Sequence, residues 1–220
     1  MKTVTLITLL VTIGLIAGLS FAARPSNQDQ RSELIQQLFS NDPGRRSEAF
    51  FKLQAIGAIK SDDPELRKIL IDLLDKENQI IDATLRESNE QTGVSAKYGE
   101  GYSEYVGFLA GAVLDQADLS DKRTLSILLH APYHPTSRFA RKLLNEGDAV
   151  ISILAEICDH DLSVKRSEAI LTLEVLATEH RNRVSDNGMK LIRQAFNRRL
   201  SDKSEFIRQI ANRSLKKIRP

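Results

Sequence analysis

Arg46-Ser47-Glu48-Ala49-Phe50-Phe51-Lys52-Leu53 is the stretch on which the fold turns, because it returns as Arg166-Ser167-Glu168-Ala169-Ile170-Leu171-Thr172-Leu173. The reduced phrase Arg-x-x-Ala-x-x-x-Leu occurs a third time at Arg208, Ala211 and Leu215. The two closest copies lie 120 residues apart. That is three periods of about 40, the spacing of stacked helix pairs. An Ala and a Leu four residues apart share one helix face. The Ala is small where its helix must approach a neighbour, and the Leu fills the next turn. An Arg in the first turn of a helix opposes the macrodipole. Its recurrence therefore predicts a compensating partner, and the turn acids Asp42, Asp161 and Asp202 of the same or neighbouring units are the candidates.

Outward from these copies the chain divides into five helix pairs, each with a helix A and a helix B. Pair one has helix A at residues 32–39 and helix B at 45–59, around the turn residues Asn41-Asp42-Pro43-Gly44. Pair two opens with Asp62-Asp63-Pro64, an N-cap with Pro in the first turn. It is longer than the rest: an insert at about 77–103 holds an extra helical stretch, 79–88, and a Gly/Ser/Tyr-rich segment, 92–103, before helix B at 104–117. Pair three has helix A at 121–130 and helix B at 136–145, where Ser137 replaces the Arg while Ala140 and Leu144 keep the spacing. Pair four has helices at 148–158 and 164–180, and pair five at 187–200 and 205–218. Leu, Ile and Ala dominate the apolar positions, there is no Trp, and no sustained period-two alternation appears. Such a composition suits helix-on-helix packing rather than a sheet.

The paired helices, the acidic turns and the Arg, Ala and Leu of helix B resemble HEAT repeats, one family of α-solenoids. The resemblance runs from Ser32 to Pro220 and is poorest in pair two, where Gly107 stands at the Arg position. It implies an all-α, HEAT-like solenoid of about five antiparallel helix pairs, with a ladder of Asp–Arg contacts along the turns. The aligned columns predict how the stack ends. Phe50-Phe51 of pair one aligns with Ile170-Leu171 of pair four, but with Asn212-Arg213 of pair five. Faces that meet a next unit are apolar, and a terminal cap is polar.

The N-terminus reads differently. Lys2 is the only charge before Arg24, Val4 to Leu19 is largely apolar, and Ser20-Phe21-Ala22 offers small residues before Ala23. That is the pattern of a secretory signal peptide over residues 1–22, followed by a polar linker at 23–31. About 16 apolar residues is short for a membrane span of roughly 20. The expected location is periplasmic or extracellular. The single cysteine, Cys158, excludes an internal disulfide, and its helical spacing from Val150, Ile151 and Leu154 makes it a core residue.

Residues 181–220 carry 12 Lys+Arg against 3 Asp+Glu, a net +9, whereas residues 60–118 carry 6 against 13, a net −7. The basic end, with Arg213, Lys216 and Lys217 in its cap, suits an anionic envelope component or a membrane surface. Tyr98, Tyr102 and Tyr105 cluster in or beside the insert and suit a binding rim. His130, His134, Asp159, His160 and Asp161 lie on turns of pairs three and four, which would stack on one edge. Their types suit Zn²⁺, although no spacing among them is a known ligand pattern, and no His is followed by Glu as in HEAT-built hydroxylases. There is no Gly-x-Ser-x-Gly and no His-Glu-x-x-His. The sequence thus predicts an exported scaffold that binds a protein or peptide, with no cofactor and no nucleic acid. The alternatives are an enzyme or metal-dependent factor using the turns of pairs three and four, and a membrane-surface protein docked by its basic end.

Overall fold

The computed structural model describes residues 27–60, 62–88, 93–131, 142 and 146–218. Ten α-helices lie in this part of the chain. They are α1 (Asn27–Gln37), α2 (Pro43–Ala55), α3 (Pro64–Glu87), α4 (Gly93–Tyr98), α5 (Glu100–Gln116), α6 (Lys122–His130), α7 (Asp148–Ile157), α8 (Ser163–Glu179), α9 (Asp186–Arg199) and α10 (Glu205–Lys217). No strand occurs among the described residues. The signal-peptide expectation and most of helix B of pair three lie outside the described residues, with Lys142 helical within the latter.

Short polar turns start the helices. Asp42 caps the Gly44 amide at 2.8 Å, and Asp63 caps Glu65 at 2.9 Å and Leu66 at 3.1 Å, each with Pro in the first turn. Ser185 and Ser204 cap α9 and α10. The turns fold α1 onto α2, α7 onto α8 and α9 onto α10, and the units then stack in chain order. The A layer runs α3, α6, α7, α9, and in the B layer α2 meets α5 and α8 meets α10. That order of contacts makes the molecule a helical-repeat solenoid. Ala49, Ala169 and Ala211 are buried where the pairs close, as are Leu53 and Leu173. Cys158 is fully buried, and burial pushes its thiol up to about 12, so it sits there as a small core residue.

Several boundaries differ from the sequence reading, and helix B of pair one, expected at 45–59, ends at Ala55. Helix α1 begins inside the expected polar linker. In pair two, helix A and the extra stretch are one 24-residue helix, α3, because Asp75-Lys76-Glu77-Asn78 contains no breaker. The Gly/Ser/Tyr-rich segment is also largely helical. Gly99, at φ +85°, breaks α4 from α5, and α5 starts at Glu100 so that Tyr102 and Tyr105 fall on its buried face.

The recurrent Arg has one geometry in all three copies. Arg46 donates to the Ser40 carbonyl at 2.9 Å, Arg166 to His160 at 2.8 Å and Arg208 to Asp202 at 2.7 Å, in each case six residues upstream. The guanidinium thus satisfies carbonyls left open where helix A ends and the turn begins. The acids that compensate it differ. Arg166 meets Asp202 of the following turn, Nε to Oδ2 at 3.0 Å and Nη2 to Oδ1 at 3.0 Å, as the Asp–Arg ladder requires. Arg46 meets Glu77, in the middle of α3, with Nε–Oε1 at 2.6 Å and Nη2–Oε2 at 2.8 Å. Asp42, expected to serve Arg46, caps its own helix and approaches Arg45 instead.

Candidate functional site

The B layer of the first two units carries an exposed aromatic pair. Phe51 on α2 is 36 % exposed and Phe108 on α5 is 47 % exposed, with ring centroids 5.8 Å apart, edge to face. Phe51 also touches the edge of Tyr105 at 6.4 Å, so the pair bridges two units. Single exposed apolar residues are ordinary, but two aromatic rings held together in water form a patch that invites a partner. Ile56, just beyond α2, is exposed as well. On α5, Glu100, Glu104 and Phe108 follow at intervals of four, which places them on one stripe. Glu100 and Glu104 are exposed, and neither makes an ion pair among the described residues. Beyond Phe108 on the same helix, Asp115 is held by Lys142 at 2.8 Å. The result is an aromatic step beside an acidic stripe.

Tyr102 and Tyr105 support this surface from within rather than forming it. Tyr102 is 4 % exposed and Tyr105 fully buried. Both hydroxyls donate to Glu77, Tyr105 at 3.0 Å. Burial, then the Glu77 carboxylate, pushes both phenols far above their ordinary value. Glu77 therefore accepts from one guanidinium and two phenols, all inside the core. This corrects the rim expected for these two rings: their hydroxyls complete a buried carboxylate site. Tyr98 is half-buried, its ring tilted against that of Tyr102 with centroids 4.9 Å apart and Lys97 over its face.

The basic cap is less free than its charge suggests. Arg213 lies 3.9 Å from Glu174 of α8, and Lys217 pairs with the same carboxylate, which also accepts from Ser214. Lys216 is exposed.

The turns of pairs three and four do converge, as a polar junction. The rings of His130 and His160 are 6.2 Å apart. His160 Nδ1 lies 3.1 Å from the Leu162 amide and 2.9 Å from Asp161 Oδ1, and its Nε2 lies 3.7 Å from Asp82. Burial lowers the pKa of His160. Lys165, 3 % exposed, lies 2.9 Å from Asp82 and also donates to the His130 carbonyl. Arg86 binds Asp161 at 2.8 Å and holds its carboxyl down at about 2. Asp159 is taken by Arg198 and Arg199, each at 2.9 Å. Asp159 and Asp161 are thus paired with cations, and no group of three His, Cys, Asp or Glu among the described residues is placed to hold a metal. His134 lies outside the described residues. The junction explains the length of α3: its last turns, with Asp82 and Arg86, reach the turn of pair four. No helix among the described residues is long and apolar enough to cross a membrane.

No family model matches the chain, and no curated protein matches it. Among solved structures it is similar to a designed armadillo repeat protein in complex with the peptide (KR)4, with TM-score 0.37, 14 % identity, and coverage of 85 % of this chain and 98 % of that one. At that distance the likeness adds nothing to the fold, which stands on the order of helix contacts.

Proposed function

We propose that the protein is an exported HEAT-type repeat scaffold that binds a protein segment across the B helices of its first two units. The observation that carries this reading is the Phe51–Phe108 pair, exposed and bridging α2 to α5. Charge defines the segment. Glu100 and Glu104 stand unpaired among the described residues on the Phe108 stripe, in a region of net −7. A segment with an apolar anchor flanked by Lys or Arg fits both features, the anchor covering the rings and the cations meeting the acids. The HEAT assignment is supported by the Arg-Ala-Leu phrase and the Arg166–Asp202 contact, and export by the pattern of residues 1–22.

The test is fluorescence anisotropy with a labelled synthetic peptide that has Leu-Phe between lysine pairs, against a counterpart with glutamates. The lysine peptide should bind, with at least a tenfold loss in Phe108→Ser and a smaller loss in Glu104→Lys. Equal affinity in wild type and Phe108→Ser would overturn the site. Export is checked by N-terminal sequencing of protein recovered outside the cytoplasm, which should begin near Ala23.

A further inference from the structure

A second site lies at the other end of the molecule, on the turn edge. There the turns of units four and five and the end of α9 line an open cavity of about 290 Å³. Its floor is the buried pair Arg166–Asp202, both side chains 2 % exposed. Arg198, Arg199 and Lys203 stand around it, with Asp161 on the facing turn.

The balance of donors and acceptors decides what fits. Both carboxylates of the lining are already met by cations. Asp202 takes Arg166, Arg199 and the Ser204 amide. Asp159, beside the cavity, takes Arg198 and Arg199, and Asp161 takes Arg86 from outside it. Donors remain in excess. Lys203 is exposed and has no ion pair among the described residues, and the Nε–H of Arg199 is buried with no hydrogen-bond acceptor there. The lining holds four cations, Arg166, Arg198, Arg199 and Lys203, against two acids, Asp161 and Asp202, a net +2 with His160 neutral. The geometry points to an oxyanion site for a phosphate group. Donors arriving from several separate side chains match a tetrahedral dianion better than the single fork that a planar carboxylate takes. This places the specific part of the basic end at Arg198 and Lys203, away from the cap at Arg213, Lys216 and Lys217.

The experiment is calorimetric titration of the purified protein at low ionic strength, first with inorganic phosphate and then with glycerol phosphate. One saturable site is the expected result. Lys203→Glu should weaken it at least tenfold, and Arg198→Gln with Lys203→Gln likewise, while the circular dichroism spectrum stays unchanged. The triple replacement of Arg213, Lys216 and Lys217 by Gln should bind as wild type does. Tighter binding of the ester would assign the group to a larger molecule, and equal binding to the free ion; either places phosphate in this cavity. Absence of saturable binding, wild-type affinity in Lys203→Glu, or loss in the cap triple would overturn the proposal.

Discussion

Arg46 and Arg166 hold equivalent places in their repeats and close their own turns in the same way, yet the acids that meet them arrive from different directions. Asp202 comes from the next turn, a fixed place in the repeat. Glu77 comes from the middle of α3, and brings Tyr102 and Tyr105 with it. The repeat therefore dictates that a buried guanidinium be neutralised, not which residue does it. In unit two the chain between helix A and helix B, residues 88–99, contains no Asp to take that place. The extended α3 then supplies the carboxylate. Burial alone would lower the pKa of Arg46, but Glu77 more than offsets it and raises the value.

Breaking the two pairs should separate them most. Glu77→Ala strands a fully buried guanidinium with one carbonyl partner, and truncating one member of such a pair typically costs about 3–5 kcal/mol. Asp202→Ala should cost less, because Arg166 keeps two carbonyls, those of His160 and Asp161. Urea midpoints measure both; an equal loss would mean that the surroundings of the acids do not matter.

The next effect probes what the two units share. Ala169→Leu forces a larger side chain between α8 and its neighbours, and overpacking costs about 1–3 kcal/mol. Ala211→Leu, in the last described pair, should cost less. Unchanged midpoints in both would refute the repeat register. Smaller still is Tyr105→Phe, which takes one hydrogen bond from Glu77 while Arg46 and Tyr102 remain. About 1.5 kcal/mol is expected, with no counterpart in unit four, where no phenol among the described residues reaches Asp202.

Acid should sharpen the contrast. Burial alone would raise the pKa of Asp202, but the Ser204 amide, Arg166 and Arg199 outweigh it, so the folded value lies below the ordinary one. A depressed carboxylate stabilises the fold above its unfolded pKa of about 3.9, and the contribution is lost as pH falls through the folded value. Thermal melts should therefore weaken below about pH 4 in wild type. Asp202→Asn should start less stable at pH 7 and fall less steeply with acid. Parallel curves would contradict this.

Much of the architecture was legible because it is periodic. The Arg-Ala-Leu columns found α2, α8 and α10, and the Pro-preceding acids marked the starts of α2 and α3. The Asp202 contact was legible for the same reason. Glu77 was not, because it is a helix-interior acid with no motif around it, and burial of a Glu follows only from what surrounds it. The tyrosines misled for a related reason: glycines at 93, 99 and 101 suggested a loop, but two of them lie within helices and only Gly99 has positive φ. Phe51 stood in a column expected to face the next unit, and it does, against Tyr105 and Phe108. Its remaining exposure depends on how far α5 covers it, which no local pattern encodes.

The central claim is that each buried Arg clasps a particular acid of the following unit, and a pair of double-mutant cycles tests it most directly. Arg46→Met and Glu77→Leu, singly and together, should show a coupling of about 2–3 kcal/mol, because the double variant removes both charges and leaves neither stranded. Arg46→Met combined with Asp202→Ala should be additive within about 0.5 kcal/mol. Additivity in the Arg46–Glu77 cycle as well would contradict the account.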